Sequence, residues 1–417
     1  MKVLVIGSGG REHAIVWKLK QSPEIDKIYC APGNGGISEL AECVPIQVLD
    51  IDNMVKFSVE NKIDLVMVAP DDPLAAGMVD AMEAAGVRAF GPRKNAAVIE
   101  ASKVFAKDLM KKYDIPTAAY EAFNNSADAI SYIQRVNMPV VVKADGLALG
   151  KGVIICDTRD EAISAVKEMM ENNKFGNAGQ RIVIEEFMSG PEVSVLAFTD
   201  GAAIAPMVSV QDHKRVHDHD EGLNTGGMGT FTPSRAYTGA IAGECMEKIF
   251  LPTVRAMNAE GRQFKGILFF GLMLTENGPK LLEYNARFGD PETQVVLPRL
   301  KTDLLQIIHA IIDEKLDTIK IEWDDSAAVC VVMASGGYPE SYRKGFEIDG
   351  LDKVHPDILV FHAGTKKEKG KFLTNGGRVI GVTAMGRNLD EAREKAYDAV
   401  SGIHFENAHF RRDIGIK

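Results

Sequence analysis

The most chemically loaded stretch of the chain reads Leu281-Leu282-Glu283-Tyr284-Asn285-Ala286-Arg287-Phe288-Gly289-Asp290-Pro291-Glu292. On an extended strand side chains alternate between faces, so Glu283, Asn285 and Arg287 point the same way. A carboxylate and an amide oxygen spaced by two are hard donors. They suit Mg²⁺ (or Mn²⁺) that keeps phosphate oxygens and water as its other ligands. Arg287 beside them can grip a carboxylate or a transferring phosphoryl group with two parallel hydrogen bonds. A charged surface strand is the plain alternative, and the flanking apolar runs argue against it.

A second cluster lies at residues 140–153, where Lys143 ends an apolar strand and a Gly-x-x-x-Gly-Lys-Gly loop turns back into another. It is no Walker A loop, because neither Ser nor Thr follows the lysine and no helix follows the loop. Gly146, Gly150 and Gly152 allow backbone N–H groups to fold over a polyphosphate, with Lys143 and Lys151 offsetting its charge. A plain β-turn has little use for two lysines among those glycines. Residues 182–188 run from an apolar strand into Glu185, Glu186, Phe187 and Met188. Such an end can present backbone donors and acceptors to an adenine edge, with Glu192 following for ribose hydroxyls. Acids also mark where strands reach solvent, so this stretch alone decides nothing.

Two further runs are Gln211-Asp212-His213-Lys214-Arg215 and Asn224-Thr225-Gly226-Gly227-Met228-Gly229. The glycine turn has the composition of an anion nest. His213, His217 and His219 have no cysteine partner in their charged loop, which favours substrate-facing or solvated roles over a metal cluster. Gly7-Ser8-Gly9-Gly10 follows the first strand and opens a helix, where N–H groups can hold a phosphate or carboxylate. Position 12 is Glu12 and not the third glycine of a dinucleotide fingerprint, and no acid closes the second strand. An anion site and a structural tight turn both stay open. A second turn, Pro32-Gly33-Asn34-Gly35-Gly36, follows the next strand, and adjacent turns at carboxyl ends of a parallel sheet form a crevice for anions.

These residues need elements to hold them. Over the first hundred residues, strands at 2–6, 27–29, 64–69 and 87–90 alternate with helices at 11–20, 54–60 and 74–85. That pattern predicts a parallel sheet with helices on both faces. A helix over 102–113 stops before Pro116. A compact α/β stretch follows, with helices at 127–136 and 159–171 and strands at 140–144, 152–156 and 182–186. Then come a β-rich segment over 192–210, a polar glycine loop over 211–229, a helix over 239–260 and strands at 266–275 and 280–284. Asn277-Gly278 marks a hairpin between the last two. A final unit over 327–417 holds a strand at 327–334 and a helix at 390–401. There is no internal repeat and no low-complexity linker.

The chain has 417 residues, a formal net charge of −10, 46% hydrophobic and 25% charged residues. That is the balance of a globular protein long enough for two to four domains. The acidic balance speaks against nucleic-acid binding, and no apolar run is long enough to span a bilayer. Five scattered cysteines, never in a C-x-x-C pair, support neither a disulfide framework nor a zinc site. A cytoplasmic protein with no membrane partner is the expectation.

In their order these stretches resemble the glycinamide ribonucleotide synthetase family of ATP-grasp ligases. The resemblance rests on residues 7–14, 31–34, 143–148, 211–215, 224–229 and 287–292, and extends to 361–365, 374–379 and 412–415. It covers essentially the whole chain. It implies an α/β (α+β multidomain) fold: a Rossmann-like domain over 1–101, an ATP-grasp domain over 102–326 with a mobile lid inserted at about 118–188, and a C-terminal domain over 327–417. No fused downstream enzyme is expected. The implied reaction joins glycine to 5-phosphoribosylamine at the expense of ATP, through glycyl phosphate, in de novo purine biosynthesis.

The resemblance also implies residue roles. Lys103 and Lys143 meet the α- and β-phosphates, and the loop with Gly146, Gly150, Lys151 and Gly152 covers them. Glu185, Glu186, Phe187 and Met188 meet adenine, and Glu192 the ribose. Glu283 and Asn285 hold Mg²⁺ or Mn²⁺. Gly9, Gly10, Arg11, Asn34, Gly35 and Gly36 take the phosphate of the amine substrate. Asp212, His213, Lys214, Thr225, Gly226, Gly227, Arg287 and Asp290 line the substrate site, with Arg287, Lys143, Asp212 and Lys214 as the catalytic set. A monomer or weak homodimer is expected. Two features depart from the family pattern: Asp71-Asp72 replaces a glutamate-led run and Leu223 replaces a proline; residues 266–274 carry no second metal-binding acid of the kind many ATP-grasp enzymes have, an absence the family shares. The competing readings are another ATP-grasp ligase or carboxylase, a nicotinamide oxidoreductase, and an inactive nucleotide binder.

Overall fold

The structure is a computed structural model, and it describes residues 1–148, 152–172 and 174–416. Five parallel strands open the chain: β1 (Lys2–Gly7), β2 (Lys27–Pro32), β3 (Glu42–Cys43), β4 (Leu65–Val68) and β5 (Arg88–Phe90), in the order β3-β2-β1-β4-β5. Their apolar runs are buried on both faces, as a covered parallel sheet requires. Helices α1 (Gly10–Leu19) and α2 (Ile51–Glu60) cross over between strands. The single helix expected over 74–85 is two, α3 (Asp71–Ala76) and α4 (Met78–Ala84), because Gly77 at φ +100° breaks the hydrogen-bond ladder. Helix α5 (Lys94–Ala101), which the sequence reading left out, leads into α6 (Lys103–Lys112); the Ser102 hydroxyl caps α6 by accepting the Phe105 N–H at 3.1 Å.

A small sheet of antiparallel strands follows: β6 (Tyr120–Phe123), β7 (Val140–Ala144), β8 (Val153–Cys156) and β9 (Ile182–Glu186), ordered β6-β9-β7-β8. Val140, Val142, Ala144, Ile182 and Ile184 pack on helices α7 (Ser126–Ile133) and α8 (Arg159–Met170) in a core of their own. The next sheet runs, in order, β11 (Ile204–Pro206), β10 (Glu192–Thr199), β16 (Gly266–Thr275) and β17 (Gly278–Asn285).

Residues 211–229 are not a loop throughout. They hold β12 (Gln211–Asp212), the hairpin β13 (Arg215–His217) and β14 (Glu221–Asn224), and the start of β15 (Gly229–Thr232). The two hairpin strands are short and polar, so they show no apolar alternation in the sequence. The helix expected over 239–260 is α9 (Gly239–Cys245), a π-helical turn at Met246–Phe250, and α10 (Leu251–Ala259). Long antiparallel strands β16 (Gly266–Thr275) and β17 (Gly278–Asn285) complete the second sheet. Helices α11 (Thr293–Val296) and α12 (Leu304–Ile312) follow.

The C-terminal portion contains β18 (Ala327–Ala334), β19 (Leu359–His362), a hairpin of β20 (Thr365–Glu368) and β21 (Lys371–Thr374), β22 (Arg378–Gly386) and helix α13 (Leu389–Gly402). Its main sheet runs β12-β15-β18-β22-β19, so two strands from mid-chain are built into it. One apolar core unites β1, β2, α1, β10, β16, α11, α12, β18 and β19. The units are therefore welded together rather than strung on linkers. No helix among the described residues is long and apolar enough to cross a membrane.

Candidate active site

The sheets converge on a cavity of about 1040 Å³. Its floor is set by an irregularity in β17. Leu281 and Tyr284 both face the core, three residues apart, so strict alternation fails between them. The register with β16 slips at this point: Gly271 opposes Glu283, but Leu272 opposes Leu281. The bulge at Leu282 re-phases the strand and turns Glu283 and Asn285 toward the cavity. Opposite, a Cβ on Gly271 would stand 3.3 Å from the Glu283 Cγ, so the glycine leaves the carboxylate room.

Burial works against ionisation of Glu283, but the charges of Lys214, Lys143, Lys103 and Arg287 outweigh it and hold its carboxyl below the usual range. The Asn285 Oδ1 accepts a hydrogen bond from Arg287 Nη2 at 3.1 Å. An ionised carboxylate beside an amide oxygen is a donor set that fits a hard divalent cation. Among the described residues no group of three or more His, Cys, Asp or Glu offers a second metal site.

Lysines cross the cavity from two directions. Helix α6 presents Lys103 and Lys107 on one face, four residues apart. Lys143, at the end of β7, reaches from the small sheet. Glu185 on β9 joins them: its Oε2 lies 2.9 Å from Lys107 Nζ and 3.0 Å from Lys143 Nζ, with all three side chains buried. Its other oxygen, Oε1, is buried without a hydrogen-bond partner. Desolvation lowers Lys107 to about 8 and also lowers Lys103. Lys143 further donates to the Leu282 carbonyl at 3.3 Å, which the bulge presents. Phe187, Met188, Ile155 and Leu282 form the apolar side of this end of the cavity, and Glu186 pairs with Lys280 at 3.3 Å.

At the other end Lys214 pairs with Glu192 at 2.9 Å. Glu192 holds the ammonium protonated well above the usual range, and Lys214 in turn holds Glu192 down. Burial pushes the carboxyls of Asp212 and Glu292 up, Glu292 to about 7. Arg287 is gripped by Glu100 at 3.0 Å and donates to the Phe288 carbonyl at 3.2 Å, while its buried Nε has no partner. Glu100, raised by burial to about 7, also accepts the Ala286 N–H at 2.7 Å. Asp290 pairs with Arg378 at 3.2 Å, and Arg378 Nη1 donates to the carbonyls of Gly226 at 2.6 Å and Asp290 at 2.8 Å.

The expected residues do not all meet here. Lys103, Lys143, Gly152, Glu185, Glu186, Phe187, Met188, Glu192, Arg11, Asp212, Lys214, Thr225, Gly226, Glu283, Asn285, Arg287 and Asp290 line the cavity. Gly146 lies just beside it, its carbonyl accepting from Lys103 at 3.4 Å. Gly150 and Lys151 lie outside the described residues. Arg11 lines the cavity while donating to Glu12 at 2.6 Å and to the Phe288 carbonyl at 3.1 Å. Gly9, Gly10, Asn34, Gly35, Gly36, His213 and Gly227 are absent from the lining.

The N–H groups of the N-terminal turns are already engaged: Gly9 with Glu12 at 2.5 Å, Gly35 with the Thr365 carbonyl at 3.1 Å, and Gly36 with Asn34 Oδ1 at 2.9 Å. A Cβ on Gly36 would meet the His362 ring at 2.3 Å, so this turn is small because the C-terminal portion docks on it. The Gly226-Gly227 turn is likewise engaged, by the Tyr338 hydroxyl at 3.1 Å and the Thr225 hydroxyl at 3.0 Å. His213 is buried against Phe231.

Several lining residues had no part in the sequence reading of the site: Glu100, Lys107, Glu292, Tyr338 and Arg378. Lys107 was readable from its spacing to Lys103, and Arg378 closes the Asn375-Gly376-Gly377 run. Glu100 and Tyr338 carry no local signal.

Comparison with known proteins gives one consistent result. Family models of the phosphoribosylglycinamide synthetase N domain, ATP-grasp (A) domain and C domain match residues 1–100, 101–293 and 328–417. The chain is 49% identical over 417 residues to a phosphoribosylamine–glycine ligase of Halalkalibacterium halodurans, covering 100% of this chain and 97% of that one. It is 50% identical over 414 residues to the ligase of the same name from Caldanaerobacter subterraneus subsp. tengcongensis, covering 99% of each. The crystal structure of a phosphoribosylamine–glycine ligase from Thermotoga maritima superposes with a TM-score of 0.86 at 33% identity, over 99% of this chain and 100% of that chain.

Proposed function

The chain belongs to the phosphoribosylglycinamide synthetase family, and from that premise we infer that it ligates glycine to 5-phosphoribosylamine with ATP, releasing ADP, phosphate and glycinamide ribonucleotide in purine biosynthesis. The observation that carries the reading is the convergence, in one cavity, of Lys103, Lys143, Glu283, Asn285 and Arg287 from three separate elements.

A carboxylate is a poor acyl electrophile. The reaction therefore first moves the γ-phosphoryl group of ATP to a glycine carboxylate oxygen, giving glycyl phosphate. The amine then attacks the carbonyl carbon, the C–O bond to phosphate breaks, and the amine gives up a proton. No side-chain nucleophile takes part, so catalysis is positioning and charge compensation. Lys103 and Lys143 face the polyphosphate, with Gly146, Gly150, Lys151 and Gly152 as its cover. The unpartnered Glu185 Oε1, together with Glu186 and the Phe187–Met188 backbone, takes the adenine amino edge, and Glu192 takes the ribose.

Glu283 and Asn285 would hold a divalent cation, Mg²⁺ or Mn²⁺. When bound, it neutralises phosphate charge and polarises the transferring group. Arg287, fixed by Glu100 and carrying an unpartnered Nε, orients the acyl phosphate. Asp212, Lys214 and Asp290 stand nearest the reacting groups, with His213, Thr225, Gly226 and Gly227 shaping that end. Arg11 takes the phosphate of the amine; Gly9, Gly10, Asn34, Gly35 and Gly36, expected beside it, do not line the cavity.

The small sheet over about 118–188 acts as the lid, shielding glycyl phosphate from water. We place the protein in the cytoplasm as a monomer or weak homodimer. The deciding assay follows ADP release from ATP and Mg²⁺ with glycine and freshly generated phosphoribosylamine, separately and together. Release that needs both is expected. Release with a different acid or amine instead would overturn the substrate assignment.

A further inference from the structure

The last motif of the chain, Arg411-Arg412-Asp413-Ile414-Gly415, has no part in the chemistry above, yet it holds a fully buried guanidinium. Arg411 Nε and Nη2 donate to the two oxygens of Asp413 at 2.7 and 2.6 Å. Its Nη1 donates across to the β13–β14 hairpin, to Asp220 Oδ1 at 2.9 Å and to the Arg215 carbonyl at 3.1 Å. Neighbouring contacts repeat the link. The His219 N–H donates to Asp413 at 2.9 Å, the Arg412 N–H to Asp218 at 2.7 Å, and the His409 ring to the Val216 carbonyl at 2.8 Å. At the tip, His219 and Asp220 have φ of +60° and +57°, a left-handed conformation that side chains other than glycine seldom adopt. Such a turn persists only where its surroundings fix it.

The base of the same hairpin runs into the cavity. Lys214 precedes β13 and Thr225 follows β14, and the two are tied together: the Thr225 N–H and hydroxyl both donate to the Lys214 carbonyl at 2.8 Å. We propose that Arg411 is a positioning residue for the ligase reaction: it clamps the β13–β14 hairpin from the C-terminal tail and so sets where Lys214 and Thr225 stand in the cavity. The Lys103–Lys143–Glu185 end lies on other elements; Glu192 meets the clamped hairpin through its exposed pair with Lys214, a contact too weak to carry much of the binding of ATP. The proposal rests on the functional reading above for its kinetic consequence, but not for its structural one.

The test compares Arg411→Ala, Arg411→Lys and Asp220→Asn in the full chain with the wild type. Arg411→Ala is expected to lower kcat/KM for glycine and for the amine by about 100-fold, the scale of a displaced binding group, with the KM for ATP within about twofold. Arg411→Lys keeps one charge contact and recovers about tenfold of that loss. Amide hydrogen exchange should rise across residues 213–228 and stay unchanged in β7 and β9. Equal losses toward ATP, glycine and amine, or unchanged exchange over 213–228, would overturn the proposal. If Arg411→Ala does not fold, Asp220→Asn decides, because it takes the charge from the hairpin side of the clamp and leaves Asp413 in place. It should show the same split at about 3- to 10-fold, and wild-type behaviour in that variant would overturn the clamp. A wild type inactive with glycine and the amine would sink the functional reading, and the exchange measurement would still judge the clamp.

Discussion

Two buried charge clusters lie within this molecule, and they differ in how completely they are satisfied. Around Arg411 each guanidinium nitrogen has an acceptor on the protein, and Asp413 is held far below the usual carboxylate range although partial burial pushes it up. Around the cavity, Glu185 Oε1 and Arg287 Nε are buried without partners, and Glu100 and Glu292 are pushed up to about 7. A native fold rarely leaves such atoms unpaired without a reason. The saturated cluster stabilises one conformation. The unsaturated one stores poorly solvated charge for ligands that bring the missing donors and acceptors.

The largest expected break in that contrast comes from Arg287→Ala. It removes the cation between Glu100 and Asn285, and kcat should fall about 10³-fold with little change in the KM for ATP. Turnover assays with saturating ATP decide it, and unchanged turnover would remove arginine from the chemistry. Next comes Glu185→Ala, which leaves Lys107 and Lys143 buried without their shared carboxylate. The loss of one partner from a buried ion pair costs about 3 kcal/mol, and urea unfolding followed through the small sheet should register it. A variant as stable as the wild type would show that the two lysines do not need Glu185 in the ligand-free chain.

pH separates the clusters by sign. The Glu292 carboxyl, raised from 4.5 to about 7 by burial, binds more proton in the folded chain than in the unfolded one across that interval. Stability is therefore lost as pH rises from 4.5 through 7, and Glu292→Gln should be more stable than the wild type at pH 8 by about 1–2 kcal/mol, with the gap closing below pH 4.5. Asp413 runs the other way. Its lowered carboxyl contributes stability above 3.8, the value of the unfolded chain, and loses it only as pH falls below that. Asp413→Asn should therefore be the less stable chain at pH 7 and converge with the wild type in acid. Thermal melts of both variants from pH 2 to 8 check the pair. Parallel curves in the two variants would erase the distinction between the clusters.

How far the sequence carried this picture depends on how local each signal is. The parallel strands β1, β2, β4 and β5 and the strands bearing Lys143, Glu185 and Glu283 follow from alternation and glycine punctuation within a few residues, whereas the two-residue β3 is too short to show either. The bulge at Leu282 does not. Leu281 and Glu283 have the spacing of one face, and only pairing with β16 puts them on opposite ones. The glycine turns were legible as places of close approach, but not as to what approaches: for Gly36 it is the His362 ring. Glu100 reaches Arg287 across 187 positions, and Arg411 reaches Asp220 across 191, distances over which no periodicity speaks.

The smallest effect sharpens the comparison from the hairpin's open side. Leu223 on β14 is 51% exposed. If apolar contact or backbone stiffness at this position fixed the hairpin, trimming the side chain would loosen it. The contacts that fix it run instead through Asp218, His219 and Asp220 to the tail. Leu223→Ala should therefore leave stability within about 0.5 kcal/mol and kcat/KM for glycine within about twofold. A loss in Leu223→Ala as large as that in Asp220→Asn would move the control of Lys214 and Thr225 from the buried cluster to the hairpin's own exposed face.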